Sequence, residues 1–270
     1  MQQAIRYIIG FILLCAAQTG VAQEVDHVIW DELLKQHVVV KEVVVKEQGA
    51  STSVNYKGFA KDRKSLKAYL KTLASVSQAE FDSMSKDAQL AMLINLYNAA
   101  TVELILTAYP EIKSIKDLGS LFSSPWKKEI VSLFGKKISL DDLEHGLIRG
   151  ERYQDPRIHF AVNCASIGCP ALRAEAYQAD KLNVQLEEQT RLFLSDRSRN
   201  RFAGEQLEIS SIFKWYRTDF EKGWLGYQSL EQFLSEYADA LDLTSQQVAD
   251  LKKGELDIEF LDYDWRLNGR

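Results

Sequence analysis

Apolar residues recur at helical intervals in several stretches of this 270-residue chain, and the pattern predicts a mostly helical protein. Residues 86–108 show it most strongly, with apolar side chains around most of the helix circumference, which indicates a central, buried helix. Ser85 is placed to cap this helix, and Pro110 is expected to end it. Further helices are predicted at 30–36, 63–73, 179–194 and 227–237. Two capping boxes, Ser77 with Glu80 and Ser139 with Asp142, predict the starts of two more helices.

The strand pattern is weaker and predicts little sheet. A five-residue, valine-rich unit occurs twice within residues 38–47 and favours a strand, as does 207–209. Polar and apolar residues alternate in 157–162, which predicts a short strand that runs into a turn at Cys164. Residues 256–265 are expected to dock as an extended tail. Together these patterns predict an α+β fold: a predominantly helical single domain with a small β-sheet that carries the Cys164 turn.

The N-terminal 22 residues have the features of a signal peptide. Arg6 provides a basic start, residues 7–17 are apolar, and Gly20-Val21-Ala22 offers small residues before a cut at Gln23. An apolar run of about 11 residues is too short to span a bilayer, and no later stretch has 18 uninterrupted apolar residues. We therefore expect a periplasmic or secreted protein whose mature chain, residues 23–270, forms one globular domain without a membrane span.

Charge and composition exclude several classes of partner. The net charge is -5 with acidic and basic residues interspersed, so no nucleic acid partner is expected. Arg197, Arg199 and Arg201 form a local basic cluster that is either a solvated loop or an anion-binding rim. No tight metal-ligand spacing occurs, and neither a metal nor a cofactor is predicted. The oligomeric state does not follow from the sequence.

The turn at Cys164 carries the most reactive groups in the chain. With the leader removed, Cys164 and Cys169 are the two remaining cysteines, separated by four residues. In an oxidising compartment they would form a disulfide, whereas Cys164 alone would be a reactive thiol. Both alternatives stay open, and they are compatible because an exposed bridge can be reduced.

Two helices carry polar residues on one face. Asn95 and Asn98 lie three residues apart in the long helix, where they either fix neighbouring backbone or line a site. Asp141, His145 and Arg149 recur every four residues, either as a salt-linked surface or as an acid–histidine pair. Gly146 would weaken this second helix, which suggests close packing there.

The predicted strand separates two of the candidate groups. In a pleated strand His159 and Asn163 would share one face, and Cys164 would point to the other. This geometry disfavours a His159–Cys164 pair. By elimination His145 becomes the candidate base, because the remaining histidines lie near the N-terminal edge.

Four motifs in order resemble the family catalogued as domain of unknown function 547. They are Ile94-Asn95-Leu96-Tyr97-Asn98-Ala99, Asp142-Leu143-Glu144-His145-Gly146-Leu147-Ile148-Arg149, Asp155-Pro156-Arg157-Ile158-His159-Phe160-Ala161 through Cys169-Pro170, and Ile212-Phe213-Lys214-Trp215-Tyr216 with Asp219-Phe220. The resemblance extends over about residues 30–240 and implies membership of that family, without implying an activity.

The leading functional hypothesis is a thiol-dependent hydrolase or acyl transferase on amide or peptide-like substrates. Cys164 would be the nucleophile and His145 the base, with Glu144 or Asp141 orienting it. Asn163 and backbone N–H groups of the turn would stabilise an oxyanion. The substrate-binding candidates are Asn95, Asn98, Arg149, His159 and Asn163.

The alternative is a non-catalytic module that binds a small molecule or a protein. A Cys164–Cys169 disulfide would then be structural. The ligand would be held by a polar network of Asn95, Asn98, Glu144, His145, Arg149 and His159.

Overall fold

A computed structural model of the chain describes residues 24–40, 52–120 and 123–269. It is 52% helical with 12% strand, which confirms the predicted mostly helical α+β class. The predicted signal peptide lies outside the described residues. The α-helices are α1 Val28–His37, α2 Tyr56–Lys61, α3 Arg63–Ala74, α4 Gln78–Ser83, α5 Lys86–Leu106, α6 Leu182–Leu194, α7 Ser211–Trp215, α8 Arg217–Glu221, α9 Leu230–Glu236 and α10 Ser245–Lys253. The strands are β1 Val38–Val40, β2 Thr52–Val54, β3 Val131–Leu133, β4 Lys136–Ile138, β5 Arg201–Ala203, β6 Gln206–Ser210 and β7 Ile258–Leu261.

Helix α5 is the centre of the fold, as its pattern predicts. The Ser85 hydroxyl accepts a hydrogen bond from the Ala88 N–H at 3.1 Å and opens the helix. Its length and a mean hydropathy of 1.3 would suffice for a membrane span, but 94% of that window is buried inside this fold. Both α3 and the segment Asp142–Ile148 pack against it.

The prediction of one small sheet carrying the Cys164 turn is wrong. In the described part of the chain the strands form three separate small sheets, β1-β2, β3-β4 and β5-β6-β7. The segment predicted as a strand is the 3-10 helix Pro156–Phe160. Asp155 accepts a hydrogen bond from the Arg157 N–H at 2.9 Å, and Pro156 occupies the first helical position. These two helix-start signals outweigh the local alternation of polar and apolar residues.

The 3-10 helix Pro156–Phe160 lies between two hydrophobic cores. Ile158 belongs to the core around α5, and Phe160 belongs to a second core built from α6 to α9 and β6. Two residues of one short helix, two positions apart, therefore anchor it in both cores. His159, between them, is held at the junction, where it is buried.

The C-terminal tail docks as predicted, and the first part of the tail forms a strand of a sheet. Strand β7 pairs in parallel with β6, Leu207 opposite Ile258. Beyond it, the Ile167 N–H donates to Arg266 O at 2.8 Å, and the Gly168 N–H donates to Asp264 O at 2.9 Å. The tail therefore lies against the turn that contains the two cysteines.

Candidate active site

Cys164 and Cys169 form a disulfide that closes the turn. Asn163 holds the base of this turn: its Oδ1 accepts from the Ala165 N–H at 3.0 Å, and its Nδ2 donates to Pro170 O at 2.7 Å. Ala165 has φ of +63°, a left-handed conformation that is strained for a residue with a Cβ. Both the oxygen and the nitrogen of the Asn163 side chain therefore form hydrogen bonds that shape the turn.

Asn95 and Asn98 bridge backbone groups within the core. Asn98 Oδ1 accepts from the Asn163 N–H at 2.8 Å, and its Nδ2 donates to Ala161 O at 3.0 Å. Asn95 makes the same pair of bonds with Tyr177, to its N–H at 3.0 Å and its carbonyl at 2.9 Å. Both side chains are buried. Through Asn98, α5 fixes the backbone that enters the cysteine turn.

His159 and Asp219 form a buried pair. His159 Nε2 lies 2.8 Å from Asp219 Oδ2, and the ring stacks on Tyr216 at 4.0 Å between centroids. Asp219 also accepts from Arg149 Nε at 2.7 Å and pairs with Lys222 Nζ at 3.0 Å.

Burial and charge set the protonation of this pair. Burial lowers the pKa of His159, and the bond to Asp219 opposes the shift only in part. Burial alone would raise the pKa of Asp219, but the hydrogen bonds from His159 and Arg149 hold it well below its usual range. The pair is therefore a neutral imidazole that donates its Nε2–H to a carboxylate.

The second capping box opens a π-helix, Asp142–Ile148, rather than the α-helix its pattern suggests. The capping bonds of Ser139 and Asp142 are both present, at 3.0 Å to each backbone N–H. The Arg149 N–H then reaches Glu144 O at 2.8 Å, five residues back. Wide turns of this kind are rare and are frequent at functional sites.

The π-helix carries the acid–histidine face that the sequence predicts. His145 Nε2 lies 3.5 Å from Asp141 Oδ1, and His145 Nδ1 lies 2.6 Å from Arg149 Nη1. Because a guanidinium only donates, Nδ1 must accept, and the His145 ring is neutral in this arrangement. Glu144 is buried and accepts from the Tyr216 hydroxyl at 2.8 Å.

These groups meet at one cavity of about 190 Å³. The predicted catalytic residues Cys164, His145 and Glu144 all line it, and so does His159. The expected separation of His159 and Cys164 on opposite strand faces is therefore wrong, because the segment is helical and both side chains reach the same space. The remaining lining residues are Tyr97, Ser124, Trp126, Asp141, Val162, Cys169, Pro170, Ile212, Trp215, Tyr216, Tyr263 and Trp265.

The tail contributes Tyr263 to the floor of the cavity. Its hydroxyl lies 3.0 Å from Cys164 Sγ and 3.1 Å from Cys169 Sγ. Bridged sulfurs carry no proton, so the tyrosine is the donor to both. A Cβ placed on Gly168 would lie 2.9 Å from the Tyr263 ring, so the ring rests directly on the turn.

Three of the predicted substrate-binding residues do not line the cavity: Asn95, Asn98 and Asn163 support the walls instead. Arg149 is also absent from the lining, but it contacts His145, which lines the cavity, and Asp219, which pairs with the lining residue His159.

Sequence reasoning missed the aromatic wall and Asp219. Trp215, Tyr216 and Asp219 belong to the fourth motif of the family resemblance, from which no candidate site residue was taken. The acid within this aromatic run is the signal that could have identified Asp219. Tyr263 and Trp265 lie far along the chain in the tail, where nothing in the sequence links them to Cys164.

Two smaller predictions also change. Close packing at Gly146 is wrong, because a Cβ placed there would have no neighbour within 4 Å. The three clustered arginines are partly buried and paired with other groups of the protein rather than free in a solvated loop. Arg197 donates to the Leu194 and Asn200 carbonyls, Arg199 pairs with Asp196, and Arg201 pairs with Glu208.

In residues 24–40, 52–120 and 123–269, no group of three or more histidine, cysteine, aspartate or glutamate side chains is arranged to hold a metal ion.

Residues 81–194 match the family described as protein of unknown function, DUF547, so the chain contains a DUF547 domain there. The match is narrower than the region of about 30–240 over which the motifs resemble that family. No curated protein and no solved structure matches the chain.

Proposed function

We propose that this DUF547 domain, completed by the segments that close its cavity, is a thiol-dependent hydrolase or acyl transferase acting on amide or peptide-like substrates. Cys164 is the nucleophile after its disulfide with Cys169 is reduced. One observation carries the proposal: the Cys164 sulfur shares a cavity with an imidazole oriented by a buried carboxylate, His159–Asp219, at 2.8 Å. A nucleophile, a base and a group that orients the base are the parts that thiol catalysis needs.

The contacts favour His159 over His145 as the base. His159 uses Nε2 for Asp219, and its Nδ1 has no hydrogen-bond partner among the residues that the structure describes. His145 uses Nδ1 to accept from Arg149, so that lone pair is occupied. We therefore assign proton transfer to His159, and His145 as the base remains a prediction that the same experiment tests.

The reaction begins with reduction by a dithiol. The dithiol gives two electrons and two protons to the disulfide, which becomes two thiols as the dithiol becomes a disulfide. Cys164 then transfers its proton to His159 and attacks the carbonyl carbon. The amine leaves with that proton, and water or a second nucleophile releases the acyl group. The Cys164 N–H, 2.8 Å from Cys169 Sγ in the bridge, is available to an oxyanion once the sulfurs separate.

Alkylation of the reduced protein tests this assignment. A neighbouring base that takes the thiol proton raises the thiolate fraction and the rate. We expect Cys164 to react with iodoacetamide at pH 6–7 faster than Cys169. His159→Gln should slow Cys164 at least about tenfold. Melting curves of each variant show whether it folds.

His37→Gln is the matched control, because His37 is also buried against a carboxylate, Asp62, but lies outside the cavity. It should leave the rate unchanged. If only His145→Gln slows the reaction, His145 is the base. Equal rates for the two cysteines, or no effect of either substitution, would exclude the thiol mechanism.

The disulfide itself favours a second candidate, a non-catalytic binding module. While the bridge is intact, neither sulfur can act as a nucleophile. A free-thiol count on protein purified without reductant, followed by alkylation after reduction, distinguishes the thiol-dependent enzyme from the binding module. A stable bridge with slow, equal alkylation favours the binding module.

We also propose that the protein is exported to the periplasm or secreted. The leader features of residues 1–22 and a disulfide, which persists in oxidising compartments, support this. The intact mass of the exported protein should correspond to a chain that begins at Gln23. An exported form that keeps Met1 would contradict the proposal.

A further inference from the structure

The cavity combines carboxylates with aromatic faces. Asp141 and Glu144 line it, and no lysine or arginine of the described residues does. Its two histidines are both neutral, His145 because it accepts from Arg149 and His159 because it is buried. Three cations lie close to the lining without belonging to it: Arg149 and Lys222 pair with Asp219, and Lys116 Nζ lies over the Trp265 ring. The charge of the lining is therefore negative.

Asp141 is the acid least committed to the protein. Its carboxylate is 40% exposed, and its contact with a basic group in the described chain is the 3.5 Å approach of His145 Nε2. Glu144, in contrast, already accepts from Tyr216. A carboxylate on a cavity wall with so few donors around it favours a cationic ligand over a neutral one.

The aromatic side of the cavity is suited to the same kind of ligand. Trp265 stacks on Trp215 at 5.7 Å and contacts Trp126 at 5.7 Å and Tyr263 at 4.4 Å between centroids. Trp215 is 47% exposed. The cluster already attracts one ammonium group, because Lys116 Nζ lies 3.7 Å from the Trp265 ring centroid. Aromatic faces beside carboxylates form the kind of cage that binds ammonium groups.

We infer that the cavity recognises a cationic amine, so that the substrate is an amide or peptide bearing a primary or quaternary ammonium group. The ammonium would lie between Asp141 and the face of Trp215, while the acyl carbon lies toward Cys164. The substrate class rests on the proposed hydrolase, but recognition of the cation by the cavity does not require a free thiol.

Ligand binding to the unreduced protein therefore tests it, with N-acetyl-lysine methylamide and its uncharged analogue N-acetyl-norleucine methylamide as probes. Titration calorimetry should show the lysine compound binding about fivefold to thirtyfold more tightly, the range expected of a cation–π contact with added charge attraction. Equal affinities, or tighter binding of norleucine, would overturn the inference. Tighter binding of methyl glucoside than of the lysine compound would also overturn it, since tryptophan faces stack on sugars too.

Two pairs of variants locate the effect. Asp141→Asn should reduce the preference for lysine, whereas Asp180→Asn, at an exposed aspartate outside the cavity, should not. Trp215→Leu should weaken lysine binding more than Trp215→Phe, which keeps an aromatic face. Unchanged binding in both Asp141→Asn and Trp215→Leu would overturn the site.

The two proposals fail separately. A lysine preference without fast Cys164 alkylation leaves a cation-binding module. Fast alkylation without the preference leaves a thiol enzyme with another substrate.

Discussion

Asn98 shows how one buried side chain determines the position of a reactive turn. It satisfies the Ala161 carbonyl and the Asn163 N–H, two backbone groups that lie within three residues of Cys164. A leucine of similar size would leave both unpaired inside the core. The role of Asn98 in any site is therefore exerted through the backbone that it holds.

We expect Asn98→Leu to lower the free energy of unfolding by about 2–6 kcal/mol, since it leaves two buried groups unmet and each costs about 1–3 kcal/mol. Urea denaturation measures this. Gln78→Leu, at an exposed amide on α4, is the matched control and should change stability by less than about 0.5 kcal/mol. A small effect at Asn98 would mean that its bonds contribute little.

His27 makes stability depend on pH. It is buried with Nδ1 2.7 Å from the Tyr69 hydroxyl, and burial lowers its pKa from 6.5 to about 4. The unfolded chain therefore takes up a proton near pH 6.5 that the folded chain does not, so this contribution is present above pH 6.5 and is lost as pH falls.

From pH 7 to 5 the loss attributable to His27 should be about 2 kcal/mol. Unfolding measured along this range should show a smaller decrease in His27→Gln than in the unsubstituted protein. His159, also buried with a lowered pKa, acts in the same direction and should account for part of the slope that remains. If the free energy of unfolding changes with pH equally in His27→Gln and in the unsubstituted protein, the assignment to His27 is contradicted.

At the scale of the element, the π-helix Asp142–Ile148 brings Glu144 and His145 to the cavity, and its start depends on one hydroxyl. Ser139 Oγ accepts from the Asp142 N–H at 3.0 Å and donates to the Asp142 carboxylate at 2.6 Å. Helix α4 begins with the same arrangement of Ser77 and Glu80, away from the cavity.

Ser139→Ala and Ser77→Ala should each cost about 1 kcal/mol of stability. Only Ser139→Ala should also change the alkylation rate of reduced Cys164, because only that cap controls the position of the cavity residues. Denaturation and alkylation of the two variants provide the comparison. Equal effects on the rate would show that the π-helix is not a sensitive support of the site.

The elements with strong local signals could be predicted from sequence. Helix α5 and the capping boxes depend on residues within a few positions of one another, and these predictions are confirmed. The segment 156–160 could not be read from its alternation, because the cap at Asp155 and Pro156 competes with that pattern. The π-helix could not be predicted either. Residues four apart, such as Asp141 and His145, lie on the same face in a π-helix as in an α-helix, so their spacing does not distinguish the two.

At the scale of the whole molecule, the cavity joins parts of the chain that the sequence keeps apart. Cys164, Glu144, His145 and His159 could be selected because they are reactive residues in recognised motifs. Tyr263 and Cys164 are 99 residues apart in the sequence, and only tertiary packing brings them into contact. The aromatic wall of the cavity could therefore be identified only from the structure.

The tail contact predicts how the disulfide is protected. A Cβ on Gly168 would meet the Tyr263 ring at 2.9 Å, so Gly168→Ala should displace the ring from both sulfurs. We expect dithiothreitol to reduce this variant severalfold faster than the unsubstituted protein.

Gly146→Ala is the control for that measurement, because its Cβ meets nothing within 4 Å. It should leave the reduction rate unchanged, with stability equal or higher by about 0.5–1 kcal/mol. An unchanged rate in Gly168→Ala would mean that Tyr263 does not shield the bridge.

The boundary of the DUF547 match passes through the cavity. Cys164, Glu144, His145 and His159 lie inside residues 81–194, whereas Asp219 and the wall of Trp215, Tyr263 and Trp265 lie beyond it. Asp141 and the proposed reactive groups other than Asp219 therefore lie on one stretch of the polypeptide, and most of the aromatic wall lies on another. Under the proposed function, exchanging the second stretch while keeping Asp219 is a route to redirect what the cavity accepts without altering the proposed nucleophile, Cys164.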